Sequence, residues 1–556
     1  MKKKHVKKSF YFTAYFAIST LVAQQALDPE KTLEQLTLRE KIGQLFMVAA
    51  ASNFNAPTEQ LASLMQTCPY TMEQDHVMKM ITDHHVGGVI FLYKSDPITQ
   101  MTLTQKFQDV AQVPLLIAQD SEWGLSMRLD NDPTKVVRYP RAMTLGALHD
   151  RQKIYDVGYE IGKQCAAIGV HMNLAPVADI NNNRRNPVIH DRSFGNNPLK
   201  VAQRAALFAK GLQDAGVLAC AKHFPGHGDT EVDSHLDLPV IKHNRERFKT
   251  TELLPFQHVA HQRIDAIMHA HICVPALDAT GKPSSLSYPI VTGLLKKELN
   301  FNGLSITDGL GMDAVRKNYA SGQLELEAFL AGNDLLLCPL DVPQAMQNIE
   351  QAITHGDVDE DDLNQRVLKI LKAKARAFAQ SKAYFFQEAQ AYLIRPQAYE
   401  LQKDLYRSAI TLLTYNNQLH FDTNFFDESC IIQIGALPED YFKNSCRHYG
   451  KKVITGSVLP EAAADHDTVV IAIGDMNKFV DKQFGITDTL LDDIKQLKKI
   501  GKKVIVALFG TPYSIPLFKD VDAIIEAYED VPVAQEAVVD TLRGILKPTG
   551  TLPIML

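Results

Sequence analysis

The sequence predicts an α/β protein in which a (β/α)8 TIM-type barrel is followed by an α/β sandwich domain. Between residues 42 and 340, eight short apolar runs recur, and helix-like stretches separate most of them. The runs are apolar throughout instead of alternating, which is typical of parallel strands covered on both faces. Eight such units most simply close into a barrel. After residue 385 a separate group of strand-like runs follows, and it is long enough to form a second domain.

Length and composition agree with this division. The chain has 556 residues, whereas a single hydrophobic core rarely grows beyond about 250–300 residues. Apolar residues make up 46% and charged residues 22%, which are ordinary values for a soluble protein. The formal net charge is −6 and the body of the chain has no basic stripe, so no nucleic-acid partner is expected. Seven cysteines, most of them in apolar runs and none in a C-x-x-C pair, predict buried thiols without a disulfide framework.

The first 23 residues have the layout of a secretory signal peptide. The basic start MKKKHVKK precedes the apolar stretch SFYFTAYFAISTLVA, and small residues at Ala23 and Ala26 offer cleavage points. The apolar stretch is too short to favour a spanning helix, although a retained anchor is the alternative. The first cysteine is Cys68, which argues against a lipid anchor on a mature N-terminal cysteine. We predict a signal peptide over residues 1–23, export to the periplasm or beyond, and no stable membrane span after cleavage.

The barrel is predicted over residues 30–384, with helix-like stretches at 201–216, 247–263 and 287–299 between its strands. The eight predicted strands are IGQLFMVAA from Ile42, VGGVIFL from Val86, PLLIAQD from Pro114, HMNLAPVADI from His171, LACAKH from Leu218, AIMHAHI from Ala266, GLSITD from Gly303 and DLLLCP from Asp334.

Polar or ionisable side chains follow five of these strands. Active sites of this fold lie at the C-terminal ends of the strands, so the five positions predict one site. A single strand-end aspartate is often only a helix N-cap, but that role does not account for five such positions together. The residues are Asp120 for strand three, Asp179 for strand four, Lys222 and His223 for strand five, His271 for strand six and Asp308 for strand seven.

The segment Lys222–Pro239, KHFPGHGDTEVDSHLDLP, is the most informative part of the chain. Pro225 and Gly226 end the preceding strand and predict a loop. Asp233 and His235 follow two residues apart, a spacing that lets the carboxylate hydrogen-bond the imidazole, fix its tautomer and raise its basicity. The loop is therefore a candidate carrier of an acid/base group.

The remainder of the chain is predicted to be a connector over residues 385–410 and an α/β sandwich over residues 411–556. The connector is helical and interrupted by Pro396. The predicted strands of the second domain are IIQIGA (431–436), KVIT (452–455), TVVIAIG (468–474), KVIVALFG (503–510) and AIIEAYE (523–529), with helix-like segments LPEDYFKNSCRHYG and TLLDDIKQLKKIG between some of them.

From about residue 35 onward, the chain resembles the family 3 glycoside hydrolases, specifically their β-N-acetylglucosaminidase branch. The string K-H-F-P-G-H-G-D-T-x-x-D-S-H is highly specific to that branch. The other motifs that carry the resemblance are QDSEWGLSMR (119–128), RYPRAMTLGA (138–147), NLAPVADINNNRRNPVIHDRSFG (173–195) and SITDGLGM (305–312).

The resemblance implies a role for each matching residue. Asp308 matches the catalytic nucleophile, His235 the acid/base and Asp233 its carboxylate partner. It implies a glycan substrate that contains N-acetylglucosamine, and no cofactor or metal. Leu125 departs from the family, since many bacterial relatives carry an arginine there, and this affects the outer part of the substrate site. Residues that match binders of sugar hydroxyls are Asp120, Arg192, Lys222 and His223, with Arg128 a weaker match.

The chemistry of these residue types agrees with that assignment. A retaining glycosidase needs a carboxylate below the anomeric carbon and a proton donor beside the leaving oxygen. Asp308 can be the carboxylate, and we expect Lys222 or Arg192 to keep it ionised. No second strand-end glutamate is obvious, and His235 can fill that place because imidazole titrates near neutrality.

Several alternatives remain open from the sequence. A metal-dependent barrel hydrolase could use the histidines at 223, 227, 269 and 271 as ligands, although Lys222 and Arg192 are awkward beside a cation. A non-catalytic sugar-binding barrel could use the same polar groups. Within the family, a β-glucosidase type would take its acid/base from Glu526 or Glu529, and a phosphorolytic enzyme would exploit a neutral histidine that repels phosphate less than a carboxylate does. A serine hydrolase is excluded, because neither G-x-S-x-G nor S-x-x-K occurs.

Overall fold

A computed structural model describes residues 27–51, 73–92, 95–129, 132–380, 385–414, 419–456, 461 and 463–556. The predicted signal peptide and Cys68 lie outside these residues. The other six cysteines are buried free thiols. Within the described ranges, no helix combines the length and the apolar character needed to cross a bilayer.

The first half of the chain forms a barrel of eight parallel strands, which confirms the predicted fold class. Strand β1 pairs with both β2 and β8, and a bridge between Ile306 and Leu335 joins β7 to β8. The strands are β1 Phe46–Ala50, β2 Gly88–Phe91, β3 Leu116–Gln119, β4 Met172–Asn173, β5 Leu218–Phe224, β6 Ala266–His269, β7 Leu304–Thr307 and β8 Leu336–Leu337.

Strand β4 is much shorter than its predicted run over residues 171–180. Pro176 has no N–H to donate to a neighbouring strand, and regular pairing ends before it. The chain still runs beside β5, because Cys220 donates its N–H to the Ala175 carbonyl and Lys222 donates to the Pro176 carbonyl. This irregular course carries the chain to Asp179 at the same end of the barrel.

The helices around the barrel follow from local sequence signals. In Pro198–Asp214, the Asn197 side chain accepts from Lys200 N at 3.0 Å and Pro198 occupies the first turn. The helix predicted over 247–263 is two helices, because Pro255 starts a new first turn. The helices are Pro29–Gln35, Leu38–Gly43, Gln74–His84, Pro97–Val110, Ala142–Gly146, Gln152–Ala167, Pro198–Asp214, Arg245–Thr250, Leu254–His261, the π-helix Pro289–Glu298, Asp313–Arg316, Gln323–Ala331, Val342–Thr354 and Glu360–Gln380.

The second domain is a six-stranded sheet in the order β11-β10-β12-β13-β14-β9, with an apolar cluster on each face. Five strands are parallel, and β9 pairs antiparallel with β14 at the edge. Strand β9 is not among the predicted strands. The strands are β9 Thr411–Thr414, β10 Cys430–Ile434, β11 Val453–Thr455, β12 Thr468–Ile473, β13 Lys503–Leu508 and β14 Ala523–Glu526; the helices of the connector and this domain are Phe386–Leu393, Pro396–Ala409, Thr423–Glu428, Tyr441–His448, Asp488–Lys499 and Pro532–Leu542.

Candidate active site

Lys222, near the end of β5, is the centre of a buried ion-pair network. Its Nζ lies 2.7 Å from Asp120 Oδ1 and 2.9 Å from Glu122 Oε1. Arg128 Nη2 lies 2.5 Å from the other oxygen of Asp120. Arg192 binds Glu122 with two parallel hydrogen bonds, from Nε at 2.9 Å and from Nη2 at 2.7 Å. The structure thus brings together four of the predicted sugar-binding residues, Asp120, Arg128, Arg192 and Lys222.

The network fixes the charge of its members. Burial alone would raise the pKa of Asp120, but the charges of Lys222 and Arg128 hold it well below the ordinary value. The pKa of Glu122 is likewise lowered, because Arg192 and Lys222 outweigh its burial. Three cations face two carboxylates, so the network keeps one excess positive charge. Charged groups held in this way can form strong hydrogen bonds with hydroxyl groups of a ligand.

Glu122 is the member of this network that is not among the predicted site residues. Its side chain is only 6% exposed, and it neutralises both Lys222 and Arg192. A signal was present, because Glu122 stands two residues after Asp120 within the quoted motif QDSEWGLSMR. Nothing in the local sequence, however, indicates which cation a carboxylate will meet across the barrel.

His223 is held by Asp179, a carboxylate with no exposed surface. The Asp179 oxygens accept from His223 Nδ1 at 2.6 Å, from His223 N at 3.2 Å and from His227 N at 2.7 Å. Burial would raise the pKa of Asp179, but the two histidines and these hydrogen bonds lower it. With Nδ1 engaged, the Nε2 edge of His223 points towards Arg192, whose Nη2 is 3.5 Å away. Asp179 therefore fixes the orientation of a predicted sugar-binding residue.

Asp308 is the first residue after β7. Its Oδ1 accepts from Gly309 N at 2.8 Å, and its own N–H donates to the His269 carbonyl at 2.9 Å. Desolvation would raise the pKa of Asp308, but His223, His271, the Gly309 N–H and His235 lower it below the ordinary value. The carboxylate is therefore ionised at neutral pH.

The expected cause of this ionisation was wrong. Lys222 and Arg192 were expected to keep Asp308 charged, but both are bound to the carboxylates of Asp120 and Glu122. Instead, neighbouring histidines lower the pKa of Asp308. One of them is His271, whose Nε2 lies 2.9 Å from the Gly309 carbonyl and whose Nδ1 lies 2.7 Å from Ser285 Oγ.

Asp233 and His235 form the pair that their spacing predicts. Asp233 Oδ1 lies 2.7 Å from His235 Nδ1 and accepts from His235 N at 2.9 Å. Burial would raise the pKa of Asp233, but the hydrogen bonds from His235 lower it. The imidazole is 45% exposed, so its Nε2 edge is open to a ligand. The loop follows β5, and Asp308 follows β7, so the pair and the carboxylate stand at the same end of the barrel.

The histidines considered as metal ligands do not converge on one point. His269 Nε2 bonds to Ser305 Oγ at 3.0 Å, whereas the rings of His223, His227 and His271 bond to Asp179, Ser234 and Ser285. Among the described residues, three ligand-type side chains meet at Asp229, His243 and Glu252. There, His243 Nε2 and Asp229 Oδ2 are 2.6 Å apart, which is a hydrogen bond, and Arg247 pairs with Glu252 at 3.1 Å.

The second domain packs against the loop that carries Arg192. The Tyr513 hydroxyl donates to the Asn181 carbonyl at 2.8 Å, and His190 Nε2 lies 3.2 Å from Thr511 Oγ1. Arg185 pairs with Asp481 at 2.7 Å, and Lys478 donates to the Pro187 carbonyl. These contacts connect the sandwich to the loop that carries Arg192.

Glu526 and Glu529, the acid/base candidates of the glucosidase alternative, have other partners. Glu526 is completely buried and accepts from Tyr528 N at 2.7 Å. Burial raises the pKa of Glu526 well above its ordinary value. Glu529 binds Arg138 at 2.8 Å, Arg141 N at 2.9 Å and Thr144 Oγ1 at 2.7 Å, and so holds the two domains together.

We expect Glu526→Gln and Glu529→Gln to leave kcat within a few-fold of wild type. Glu529→Gln should lower the free energy of unfolding by about 1–3 kcal/mol, because the partly buried guanidinium of Arg138 loses its charged partner. Glu526→Gln should change stability less, since glutamine keeps an oxygen that can accept from Tyr528 N. Steady-state kinetics and thermal melts check both variants. A folded Glu529→Gln protein without activity would contradict the histidine mechanism.

Comparisons with known proteins agree with the fold. The model of the glycosyl hydrolase family 3 N-terminal domain matches residues 37–373. Beta-hexosaminidase A of Pseudoalteromonas piscicida is 27% identical, over 93% of this chain and 97% of that protein. The beta-hexosaminidase of Alkalilimnicola ehrlichii is 32% identical, over 52% of this chain and 84% of that protein. A family 3 β-N-acetylglucosaminidase structure from Paenibacillus sp. str. FPU-7 has a TM-score of 0.77 and 30% identity, over 94% of this chain and 99% of that chain.

The barrel and the groups at its C-terminal end define a glycoside hydrolase. The matched domain covers more than half of the chain, and the full-length structural match has 30% identity. The chain therefore belongs to glycoside hydrolase family 3. Its named relatives confirm the branch that the Lys222–Pro239 motif predicts.

Proposed function

We propose that the protein is a retaining exo-β-N-acetylglucosaminidase that removes terminal β-linked N-acetylglucosamine from peptidoglycan fragments or chito-oligosaccharides. The observation that carries the proposal is the Asp233–His235 pair, which stands with an ionised Asp308 at the C-terminal end of one barrel. Relatives named as beta-hexosaminidases support the choice of sugar. We also propose that the protein is exported, on the basis of its first 23 residues.

In the first step, Asp308 attacks the anomeric carbon. Gly309 N holds one oxygen of the carboxylate, and the other oxygen forms the bond to carbon while the glycosidic C–O bond breaks. His235, as an imidazolium, gives its Nε2 proton to the departing oxygen. Asp233 accepts from Nδ1 throughout, so it orients the ring and stabilises its positive charge.

In the second step, the now neutral His235 removes a proton from water. The resulting hydroxide attacks the anomeric carbon, the ester bond to Asp308 breaks, and the sugar leaves with its original β configuration. The proton taken from water restores the imidazolium form of His235. Lys222, Asp120, Arg192 and His223 hold the hydroxyl groups of the sugar during both steps.

The remaining alternatives differ in their nucleophile and in their sugar. A phosphorolytic enzyme would use phosphate instead of water in the second step, and a neutral His235 leaves that route open. The experiment is product analysis with aryl N-acetylglucosaminide, aryl glucoside, chito-oligosaccharides and muropeptides, each with and without phosphate. Sugar phosphate as the main product would replace hydrolysis by phosphorolysis, and inhibition by a chelator would favour the metal-dependent alternative.

We expect kcat/KM for an aryl N-acetylglucosaminide to exceed that for the matching aryl glucoside by at least about 10²-fold. A site that hydrogen-bonds a substrate group rejects an analogue without that group, because buried polar atoms are then left unpaired. Parallel initial-rate measurements with the same aryl leaving group check the ratio. Comparable values for the two sugars would contradict the proposed specificity and place the enzyme with the glucosidase type.

A further inference from the structure

The segment that carries the acid/base pair, residues 229–238, has little apolar attachment to the barrel. Val232 and Leu236 are 42% and 56% exposed, so the segment gains little from burial of apolar surface. Segments with few buried apolar contacts open at a low free-energy cost. The position of Asp233 and His235 therefore depends on the polar contacts that the segment makes.

Two residues of the segment, Thr230 and Ser234, make buried hydrogen bonds. Ser234, between Asp233 and His235 in the chain, is 2% exposed, and its Oγ lies 2.9 Å from His227 Nε2. His227 is itself 1% exposed, and its Nδ1 lies 3.1 Å from Thr230 Oγ1. A hydroxyl can donate or accept, so a neutral imidazole satisfies both contacts in either tautomer.

His227 is a rigid support for this contact. The backbone N–H of His227 donates to Asp179 Oδ1 at 2.7 Å, and Asn186 Nδ2 donates to the carbonyls of His227 and Gly228 at 2.8 and 3.0 Å. Burial, followed by the charge of His223, lowers the pKa of His227 to about 4. The ring is therefore neutral at physiological pH and remains a partner for the Ser234 hydroxyl.

Thr230, earlier in the segment, is also buried and accepts from Asn186 Nδ2 at 3.2 Å, whereas the contacts of Glu231 and Leu236 are nearer to solvent. Lys317 Nζ lies 3.4 Å from the Leu236 carbonyl, and Asn183 Nδ2 lies 3.4 Å from Glu231 Oε1. Both are long and exposed, and such contacts contribute little. The pair of Asp229 and His243 is shorter at 2.6 Å, but it lies before the acid/base residues and is partly exposed. The Ser234–His227 hydrogen bond is thus the buried side-chain contact that is nearest to the acid/base pair.

We propose that His227 is a positioning residue for the acid/base pair, and that through Ser234 it holds Asp233 and His235 in their place beside the reacting glycosidic bond. The inference rests on the proposed function, because it assigns the proton transfer to His235. Without the hydrogen bond, the segment swings outward and proton delivery becomes inefficient. The ion-pair network of Lys222 is untouched, so binding of the sugar persists.

Ser234→Ala tests the proposal, because it removes the hydroxyl and leaves both Asp233 and His235 in the chain. For a chito-oligosaccharide, whose leaving oxygen needs a proton, we expect kcat to fall about 10- to 100-fold with little change in KM. For a dinitrophenyl N-acetylglucosaminide, which leaves without a proton, kcat/KM should change less than about threefold. Ser234→Thr keeps a hydroxyl and should recover most of the lost rate. His227→Gln should repeat the pattern of Ser234→Ala.

Ser305→Ala is the matched control, because it removes a buried serine–histidine hydrogen bond that lies on β7 and not in the segment 229–238. For this variant, the ratio of the rate on the chito-oligosaccharide to the rate on the dinitrophenyl N-acetylglucosaminide should equal that of wild type. The proposal is wrong if Ser234→Ala also keeps the wild-type ratio while His235→Ala changes it. If His235→Ala keeps the wild-type ratio as well, the assignment of the acid/base itself fails, and the positioning role fails with it.

Discussion

Replacing Asp308 with alanine is expected to lower kcat by about 10⁴-fold or more, the loss found when a covalent nucleophile is removed. The side chain lies at the end of β7, is held by Gly309 N and is ionised by its surroundings. Asp120 and Glu122 cannot take its place, because both carboxylates are bound to cations. Steady-state kinetics on an aryl N-acetylglucosaminide measure the loss. A fluorosugar that traps the covalent intermediate should label Asp308 in the wild-type protein, as peptide mass spectrometry would detect.

Asp313→Ala is the control for this variant. Asp313 lies five residues further along, in the helix Asp313–Arg316, and pairs with Arg316 and Lys317. Its replacement also removes a carboxylate near the barrel end, but kcat should stay within a few-fold of wild type. Thermal melts should show that both variants fold. Labelling of another residue, or near-wild-type turnover by Asp308→Ala, would refute the assignment of the nucleophile.

When His235 is replaced with alanine, the loss of kcat/KM is expected to depend on the leaving group of the substrate. For a chito-oligosaccharide, kcat/KM should fall about 10²- to 10⁴-fold, the usual contribution of general acid catalysis. For a nitrophenyl substrate, kcat/KM should change little, because the phenolate leaves without a proton. Its kcat should still fall, since water then attacks the glycosyl-Asp308 ester without a base. Pre-steady-state kinetics should therefore show a burst of nitrophenolate.

Azide provides a further test of the same variant. As a small anionic nucleophile that needs no base, it should raise kcat of His235→Ala and yield the β-glycosyl azide. His261→Ala, which removes an exposed histidine from the helix Leu254–His261, is the control and should show neither the leaving-group dependence nor the rescue. Equal losses on all substrates, without rescue, would mean that His235 is structural.

The barrel and most of its site could be predicted from the amino-acid sequence. Continuous apolar runs identify buried parallel strands, and parallel strands place their C-terminal ends at one edge. Asp308, Lys222 and His223 were found in this way, because each directly follows or ends such a run. The Asp233–His235 pair is local, with its two members only two residues apart, so spacing alone indicates the hydrogen bond.

Other features depend on contacts between distant segments. The edge strand β9 is four residues long and follows directly on a helix, so it gave no separate pattern before it paired with β14. The role of Glu122 depends on Arg192, 70 residues away, and the role of Glu529 depends on Arg138, 391 residues away.

The charge of Asp308 shows the same division between sequence and tertiary structure. Its position at the end of a buried strand follows from local hydrophobicity, which the order of residues determines by itself. Its ionisation depends on its neighbours in space: Lys222 is bound to Asp120 and Glu122, whereas His223, His271, the Gly309 N–H and His235 lower the pKa of Asp308. Electrostatic interactions act across space between side chains far apart in the chain, so only the folded arrangement decides them.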